Sequence, residues 1–364
     1  MSIIVIPDSF KGSMTSTEVT DIICDELSKV TDENIIKIPI ADGGEGSTDC
    51  ILATLGGRKV TVTVKSPEMK NIAASYGITE DELAVIEIAE SSGITKQTSF
   101  DAKNATTYGF GQLIKDALDK GCREFLLCLG GSATSDCGAG MVAALGAKFD
   151  GVEIPTGGSL CAVKNIDLSS LDPRIRESKF TVMCDVENPL YGENGAAYVY
   201  GPQKGATKED VKLIDAGLKS FSECMTTVDR AYENIAIVPG AGAAGGAGYA
   251  CMAFLGATLK SGIETMLEIN KFDEKIKDCS RVITGEGKLD EQSFMGKVLS
   301  GIMAHSGSVK VTAFCGICSL TDDEKNSKNI DIIEISRGID VNESIKNGRV
   351  YLQKAAEGYF SRIF

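Results

Sequence analysis

At 364 residues the chain exceeds one typical domain, and its 43% hydrophobic and 24% charged side chains argue for a folded protein with a real core and against disorder. A formal net charge of −14 argues against a broad nucleic-acid or anionic-membrane surface, which would need clustered Lys and Arg, though a local pocket can still be basic. Glycine is the outlier, with 40 residues, many in clusters that suggest tight turns and close approach of backbone to a ligand.

The N-terminus runs directly from Met1 into the apolar Ile3-Ile4-Val5-Ile6, so no secretory leader and a cytoplasmic location are expected. The 12 irregularly spaced cysteines are then expected to be reduced and mostly buried. One C-x-x-C occurs, Cys315-Gly316-Ile317-Cys318, with neither a second such pair nor more than one histidine to support a redox or metal role.

In chain order, Ile3–Ile6 reads as a strand. Thr15 or Ser16 caps a helix with Glu18 in its first turn and Val19, Ile22, Ile23 and Leu27 on one face. Ile35–Ile40 is a second strand, followed by a glycine cluster and a helix over Ser47–Leu55 that Gly56-Gly57 stops. The texture then changes. Lys59–Lys65 alternates, with Val60, Val62 and Val64 on one face, and Ile72–Ile78 and Leu83–Ala89 are further strands without intervening helices, as in a meander. Helices are expected over Thr106–Lys120 and Gly138–Ala147, and buried strands over Phe125–Leu129 and Phe180–Met183. The uncharged stretch Ile235–Leu259 is long enough for a membrane span, but its glycines, alanines and Pro239 point to a buried loop and helix.

The strand–helix rhythm returns with strands at Arg281–Thr284, Val309–Phe314 and Ile330–Ile335, and a helix starting around Gly296. Two early and three late strands make one five-stranded doubly wound sheet. The expected architecture is thus α/β, with residues 1–59 and 241–364 forming one discontinuous domain and residues 60–240 an inserted α/β domain; a ligand cleft between them is the default expectation.

Six segments combine glycine with carboxylate, lysine or small hydroxyl groups: Pro7–Ser13, Ala41–Ser47, Gly130–Asp136, Cys184–Leu190 continuing to Gly201–Gly205, Pro239–Gly248, and Thr284–Asp290 followed by Gly296-Lys297. The first, second and last fall at predicted strand ends, where a doubly wound sheet binds its ligand. Glycines there let backbone N–H groups converge on an oxyanion. Ser13, Ser47, Ser132 and Thr134 can donate hydrogen bonds, and Lys11, Lys204, Lys288 and Lys297 can neutralise phosphate or carboxylate oxygens. The carboxylates among them make sense if they hold Mg²⁺, orient a hydroxyl or take its proton, which is the mixture phosphoryl transfer needs. Taken singly, such loops are as often ordinary turns.

The P-loop pattern is absent, because Val298 follows Gly296-Lys297 and Leu289 follows Gly287-Lys288. After the strand-like Ile235–Val238, Gly240-Ala241-Gly242-Ala243-Ala244-Gly245 matches G-x-G-x-x-G, but no strand ending in an acidic residue follows at the right distance. His305, the sole histidine, sits late in a predicted helix, so a general base is expected to be a carboxylate.

Asp8-Ser9-Phe10-Lys11-Gly12, Asp42-Gly43-Gly44-Glu45-Gly46, Gly130-Gly131-Ser132-Ala133-Thr134, Cys184-Asp185 with Asn188-Pro189-Leu190, Gly201-Pro202-Gln203-Lys204-Gly205 and Gly285-Glu286-Gly287-Lys288-Leu289-Asp290 together resemble the signature blocks of the bacterial glycerate kinase family, in that family's order. The resemblance implies a flavodoxin-like doubly wound parallel sheet with a second α/β domain inserted, and transfer from ATP, with Mg²⁺, to D-glycerate, usually giving 2-phosphoglycerate. Ser135 stands where Asn is expected and Cys137 where Gly is expected.

From chemistry, the catalytic candidates are Asp42, Asp185, Asp290 and Lys11, with Asp42 and Asp185 as metal ligands. The substrate- or nucleotide-binding candidates are Asp8, Ser9, Gly12, Gly43, Gly44, Glu45, Gly130, Gly131, Ser132, Thr134, Gln203, Lys204, Gly285, Glu286, Gly287 and Lys288, the Gly130–Thr134 and Gly285–Gly287 backbones serving as phosphate cradles. The expected partners are glycerate and nucleotide, with neither nucleic acid nor membrane, in a monomer or homodimer. The rival expectations are an NAD-dependent oxidoreductase acting on a small hydroxy acid through Gly240–Gly245, and a non-catalytic module binding an anionic metabolite.

Overall fold

A computed structural model describes residues 1–294, 298–327 and 330–364; the expected helix start at Gly296 and the candidate Lys297 lie outside them. In chain order its strands are β1 (Ser2–Val5), β2 (Asn34–Lys37), β3 (Arg58–Lys65), β4 (Asn71–Ile78), β5 (Leu83–Glu87), β6 (Glu124–Cys128), β7 (Lys148–Asp150), β8 (Asn165–Asp167), β9 (Lys179–Met183), β10 (Thr258–Lys260), β11 (Cys279–Leu289), β12 (Lys310–Cys318) and β13 (Asp331–Glu334). The chain divides into two compact units: a smaller one of Met1–Asp42, Asp49–Leu55 and Ser261–Phe364, and a larger one of Gly43–Thr48 and Gly56–Lys260.

The smaller unit carries a five-stranded, all-parallel sheet in the order β13-β12-β11-β1-β2. Read from the other edge this is the flavodoxin-like 2-1-3-4-5 order, with the direction of winding reversing between β1 and β11. The helix Ser16–Leu27 covers one face. Thr15 caps it, accepting from the Glu18 amide while the Glu18 carboxylate accepts from the Thr15 amide, so two amides that the first turn leaves free are satisfied together. Val19, Ile23 and Leu27 of that helix pack with Ile3, Val5 and Phe314 of the sheet and with Leu352 and Phe360 of the C-terminal helix Gly348–Ile363 into one core.

The larger unit carries a six-stranded sheet in the order β10-β9-β6-β5-β4-β3. Strands β3, β4 and β5 form the antiparallel meander that their alternating pattern predicts, and β5, β6, β9 and β10 run parallel. Its core is dominated by helices Tyr108–Asp119, Lys208–Val228 and Ala243–Leu255. This unit runs to Lys260, beyond the expected boundary at residue 240, because β10 pairs with β9 and the helix before it packs into the larger core.

Two sequence expectations change. The segment after Thr284 is not a loop: β11 continues through Leu289, held by β12 in a register that pairs Glu286 with Cys315 and Lys288 with Ile317. The segment before Gly240 is not a strand but the short 3₁₀ turn Ile235–Ile237. All twelve cysteines are free thiols; Cys315 and Cys318 sit three apart on β12, on opposite faces of an extended strand. Among the described residues no helix is long and apolar enough to cross a membrane.

Candidate active site

In the smaller unit the chain leaves β1 and keeps following β11: Ile6 donates to Ile283 O at 2.8 Å and Asp8 to Gly285 O at 2.8 Å. The buried Ser16 hydroxyl donates to Pro7 O at 2.7 Å and accepts from the Ile40 amide at 2.8 Å, tying the exits of β1 and β2 to one helix start. These ties set Asp8, Ser9 and Lys11 beyond β1, Asp42 beyond β2, and Glu286, Gly287, Lys288 and Asp290 along β11, around one cavity of about 400 Å³. It lies at the carboxyl ends of the strands where the winding reverses, the place where an open α/β sheet leaves a crevice for a ligand.

Among the described residues four carboxylates line this cavity against two ammonium groups. Lys11 Nζ is 3.9 Å from Asp42, and Lys288 Nζ is 3.0 Å from Asp290. Asp290 also accepts from the Gln292 amide, so part of its capacity is used in starting the turn Glu291–Phe294. Burial, and then the negative charge of Asp42, push the Asp8 carboxyl up to about 6 despite the Ser9 amide that it accepts at 2.6 Å. Gly12 turns in the left-handed region at φ 79° beside Ile345. Gly285 and Gly287 are strand residues, so the expected backbone cradle there is replaced by sheet pairing; their lack of Cβ lets Phe10 and Lys11 lie against β11.

The larger unit gathers a second set of the predicted segments. Gly43 O accepts from the Gly130 amide at 3.0 Å, and a Cβ on Gly130 would lie 2.6 Å from Gly44 Cα, so both glycine runs are needed for backbone to meet backbone. Glu87, which sequence reasoning missed, is buried and accepts from the amides of Gly46 at 3.1 Å and Thr48 at 2.7 Å, fixing the Gly43–Thr48 turn. Gly131 is exposed, whereas Ser132 and Thr134 lie beneath the surface.

There they meet Lys204. Its side chain is 3% exposed, and Nζ donates to Ser132 Oγ at 3.0 Å and to Thr134 O at 2.7 Å. Among the described residues no carboxylate is within ion-pair distance of it, and burial drives its ammonium down to about 7, with Asp136 opposing only in part. Sequence reasoning expected Lys204 to face an anion; the structure turns it inward as a tie for the Gly130–Thr134 turn. Asp136 is fully buried, accepting from the Thr107 amide at 2.7 Å, the Thr107 hydroxyl at 2.8 Å and the amides of Gly138 and Gly140, each at 3.2 Å.

With the geometry in view, comparison decides the family: a family model described as "Glycerate kinase family" matches residues 3–363. The chain belongs to the glycerate kinase family. It is 40% identical to a glycerate 2-kinase of Escherichia coli K12 over 373 aligned positions, covering all of this chain and 95% of that one. It is 39% identical to a glycerate kinase of Halalkalibacterium halodurans, covering 98% and 96% of the two chains. A crystal structure titled as a glycerate kinase 2 from Salmonella typhimurium LT2 aligns with TM-score 0.85 at 34% identity, covering 100% of this chain and 98% of that one.

The remaining candidates lie in the larger unit. Asp185 is exposed just beyond β9, Glu45 is exposed on the Gly43–Thr48 turn, and Gln203 is exposed on the turn Pro202–Lys204. Gly240–Gly245 lacks the preceding strand that a dinucleotide site requires, and the helix that begins at Ala243 is broken in its first turn. Ala244, Gly245 and Gly246 all have positive φ, and a Cβ on Gly245 would lie 2.0 Å from Thr134 O, so these glycines serve close packing inside the larger unit. Cys137, where the family resemblance calls for glycine, is buried and holds φ 56°. His305 bonds Asp273 through Nδ1 at 2.7 Å and Glu264 through Nε2 at 3.1 Å, joining helix Val298–Ser306 to the Gly262–Ile269 and Phe272–Lys275 helices as a structural contact.

Proposed function

We propose that this chain phosphorylates D-glycerate with ATP, releasing ADP and 2-phosphoglycerate. Membership of a kinase family supports ATP as the donor, and the choice of acceptor rests on the names of relatives that match over nearly the full length. The observation that carries the site assignment is the cavity beyond β1, β2 and β11, where Asp8, Asp42, Glu286 and Asp290 face Lys11 and Lys288.

Such an excess of carboxylate repels a polyphosphate unless a cation accompanies it. Among the described residues no group of three or more His, Cys, Asp or Glu could cage a metal by itself. The arrangement fits Mg²⁺ instead, which is held through one or two carboxylates while substrate phosphates complete its shell. Asp42 with Asp8 would hold it, since both carboxylates line this cavity. Bound there, Mg²⁺ would neutralise charge on the phosphate oxygens. Lys11 and Lys288, lining the same cavity, would pair with phosphate oxygens. The acceptor hydroxyl attacks the γ-phosphorus, the bond to the ADP oxygen breaks, and a cavity carboxylate takes the hydroxyl proton.

A coupled ADP-release assay with Mg²⁺-ATP and D-glycerate tests the activity, and phosphorus NMR of the product tests the position. Turnover with another hydroxy acid but not with glycerate would refute the substrate; no turnover with any hydroxy acid would refute the kinase reading.

A further inference from the structure

The charged groups occupy only part of the smaller unit's cavity. Among the described residues the rest of its lining includes an aliphatic set: Ile317 on β12, Ile335 just beyond β13, and Val341 and Ile345 on the short helix Val341–Lys346. That helix is fastened over the cavity by Ser13, whose hydroxyl donates to Ile345 O at 2.7 Å. Val341 is 48% exposed and Ile345 40% exposed, so two β-branched side chains are offered to solvent beside a cluster of charges.

The acceptor does not account for this wall. Glycerate is a three-carbon acid bearing oxygen on every carbon, far smaller than about 400 Å³, and it has no apolar face to bury. A triphosphate alone has none either. Small-molecule sites pair an apolar lining with a few placed polar groups when the ligand has the same division. A purine joined to a polyphosphate has that division: two flat apolar faces at one end and anionic oxygens at the other. We infer that the aliphatic wall formed by Ile317, Ile335, Val341 and Ile345 is the slot for the base of the phosphoryl donor, with its phosphates turned toward Lys11 and Lys288. The inference rests on the kinase reading for its ligand and adds where, and by which side chains, the base is gripped.

The test is the double substitution Val341→Asn and Ile345→Asn, both at exposed positions and both neutral, so that phosphate electrostatics stay unchanged. Removing two aliphatic contacts to a ring is expected to raise KM for ATP about tenfold or more, since one apolar contact in such a pocket discriminates by about 10-fold to 200-fold. The KM for glycerate should stay as it was. Calorimetry supplies a readout free of turnover: adenosine alone should bind the unaltered protein and lose that binding in the variant, while inorganic tripolyphosphate with Mg²⁺ binds both alike. Unchanged KM for ATP, equal adenosine binding by both proteins, or no adenosine binding by the unaltered protein would each overturn the slot. If the unaltered protein turns over no glycerate, the proposed reaction fails, yet the adenosine comparison still decides the slot. Should the double variant unfold, Ile345→Asn alone carries the same comparison.

Discussion

Replacing Lys204 with Met should change how stability depends on pH. The side chain is 3% exposed and its ammonium is driven from an ordinary 10.5 down to about 7, chiefly by burial. A base with a lower pKa folded than unfolded leaves the unfolded chain holding the extra proton between pH 7 and 10.5. Stability therefore rises with pH across that window, and the full cost of the buried charge is felt below pH 7. At about 1.4 kcal/mol per pH unit, Lys204 should make the protein about 2–4 kcal/mol more stable at pH 9.5 than at pH 7, before other groups are counted.

Lys204→Met abolishes that contribution and leaves Ser132 Oγ and Thr134 O without their donor, a loss of about 1–3 kcal/mol. Near pH 7 the two effects oppose each other; by pH 9.5 most of the first is gone and the loss is mainly what is left. The measurement is urea unfolding of both proteins at several pH values, followed by far-UV circular dichroism because the chain has no tryptophan. Titrations common to both proteins cancel in the difference. Stability curves that run parallel from pH 7 to 9.5 would refute the assignment of Lys204 as a buried, charge-poor tie.

Two further outcomes concern chemistry and folding. Asp42→Asn is expected to lower kcat by about 100-fold or more with no change in Tm, because its side chain is not buried and lines the cavity assigned to the reaction; a Tm loss that accounts for the lost activity would remove the assignment. Asp136→Asn is expected to cost about 2–4 kcal/mol, since all its partners are donors and an amide NH₂ would face them; undiminished stability in urea would refute that account.

Local signals were legible wherever neighbours in sequence supply the physics. The Thr15–Glu18 capping box, the helix Ser47–Leu55 stopped at Gly56-Gly57, and the alternation of β3 all follow from groups a few residues apart, and the structure has each of them. The two-early, three-late count of strands was enough to anticipate the doubly wound sheet, because its order follows from how parallel strands are connected. The glycine-bearing segments divide in the structure: Asp8, Lys11, Asp42, Lys288 and Asp290 come to one cavity, while Ser132, Thr134 and Lys204 turn away from solvent.

What sequence determined by itself is therefore the family, the α/β class and the residue types that carry charge. Tertiary structure alone decided which way those residues point. Thr284–Leu289 reads as strand plus loop until β12 supplies partners for its backbone, and residues 241–260 join the larger unit because β10 finds β9 and the helix before it packs into that core. Lysine on a glycine-rich turn looks solvated until burial strips its water, and Val341 and Ile345 look like scattered surface residues until Ser13 fastens their helix over a cavity. Each of these depends on contacts between residues far apart in the chain, which carry no local periodicity to read.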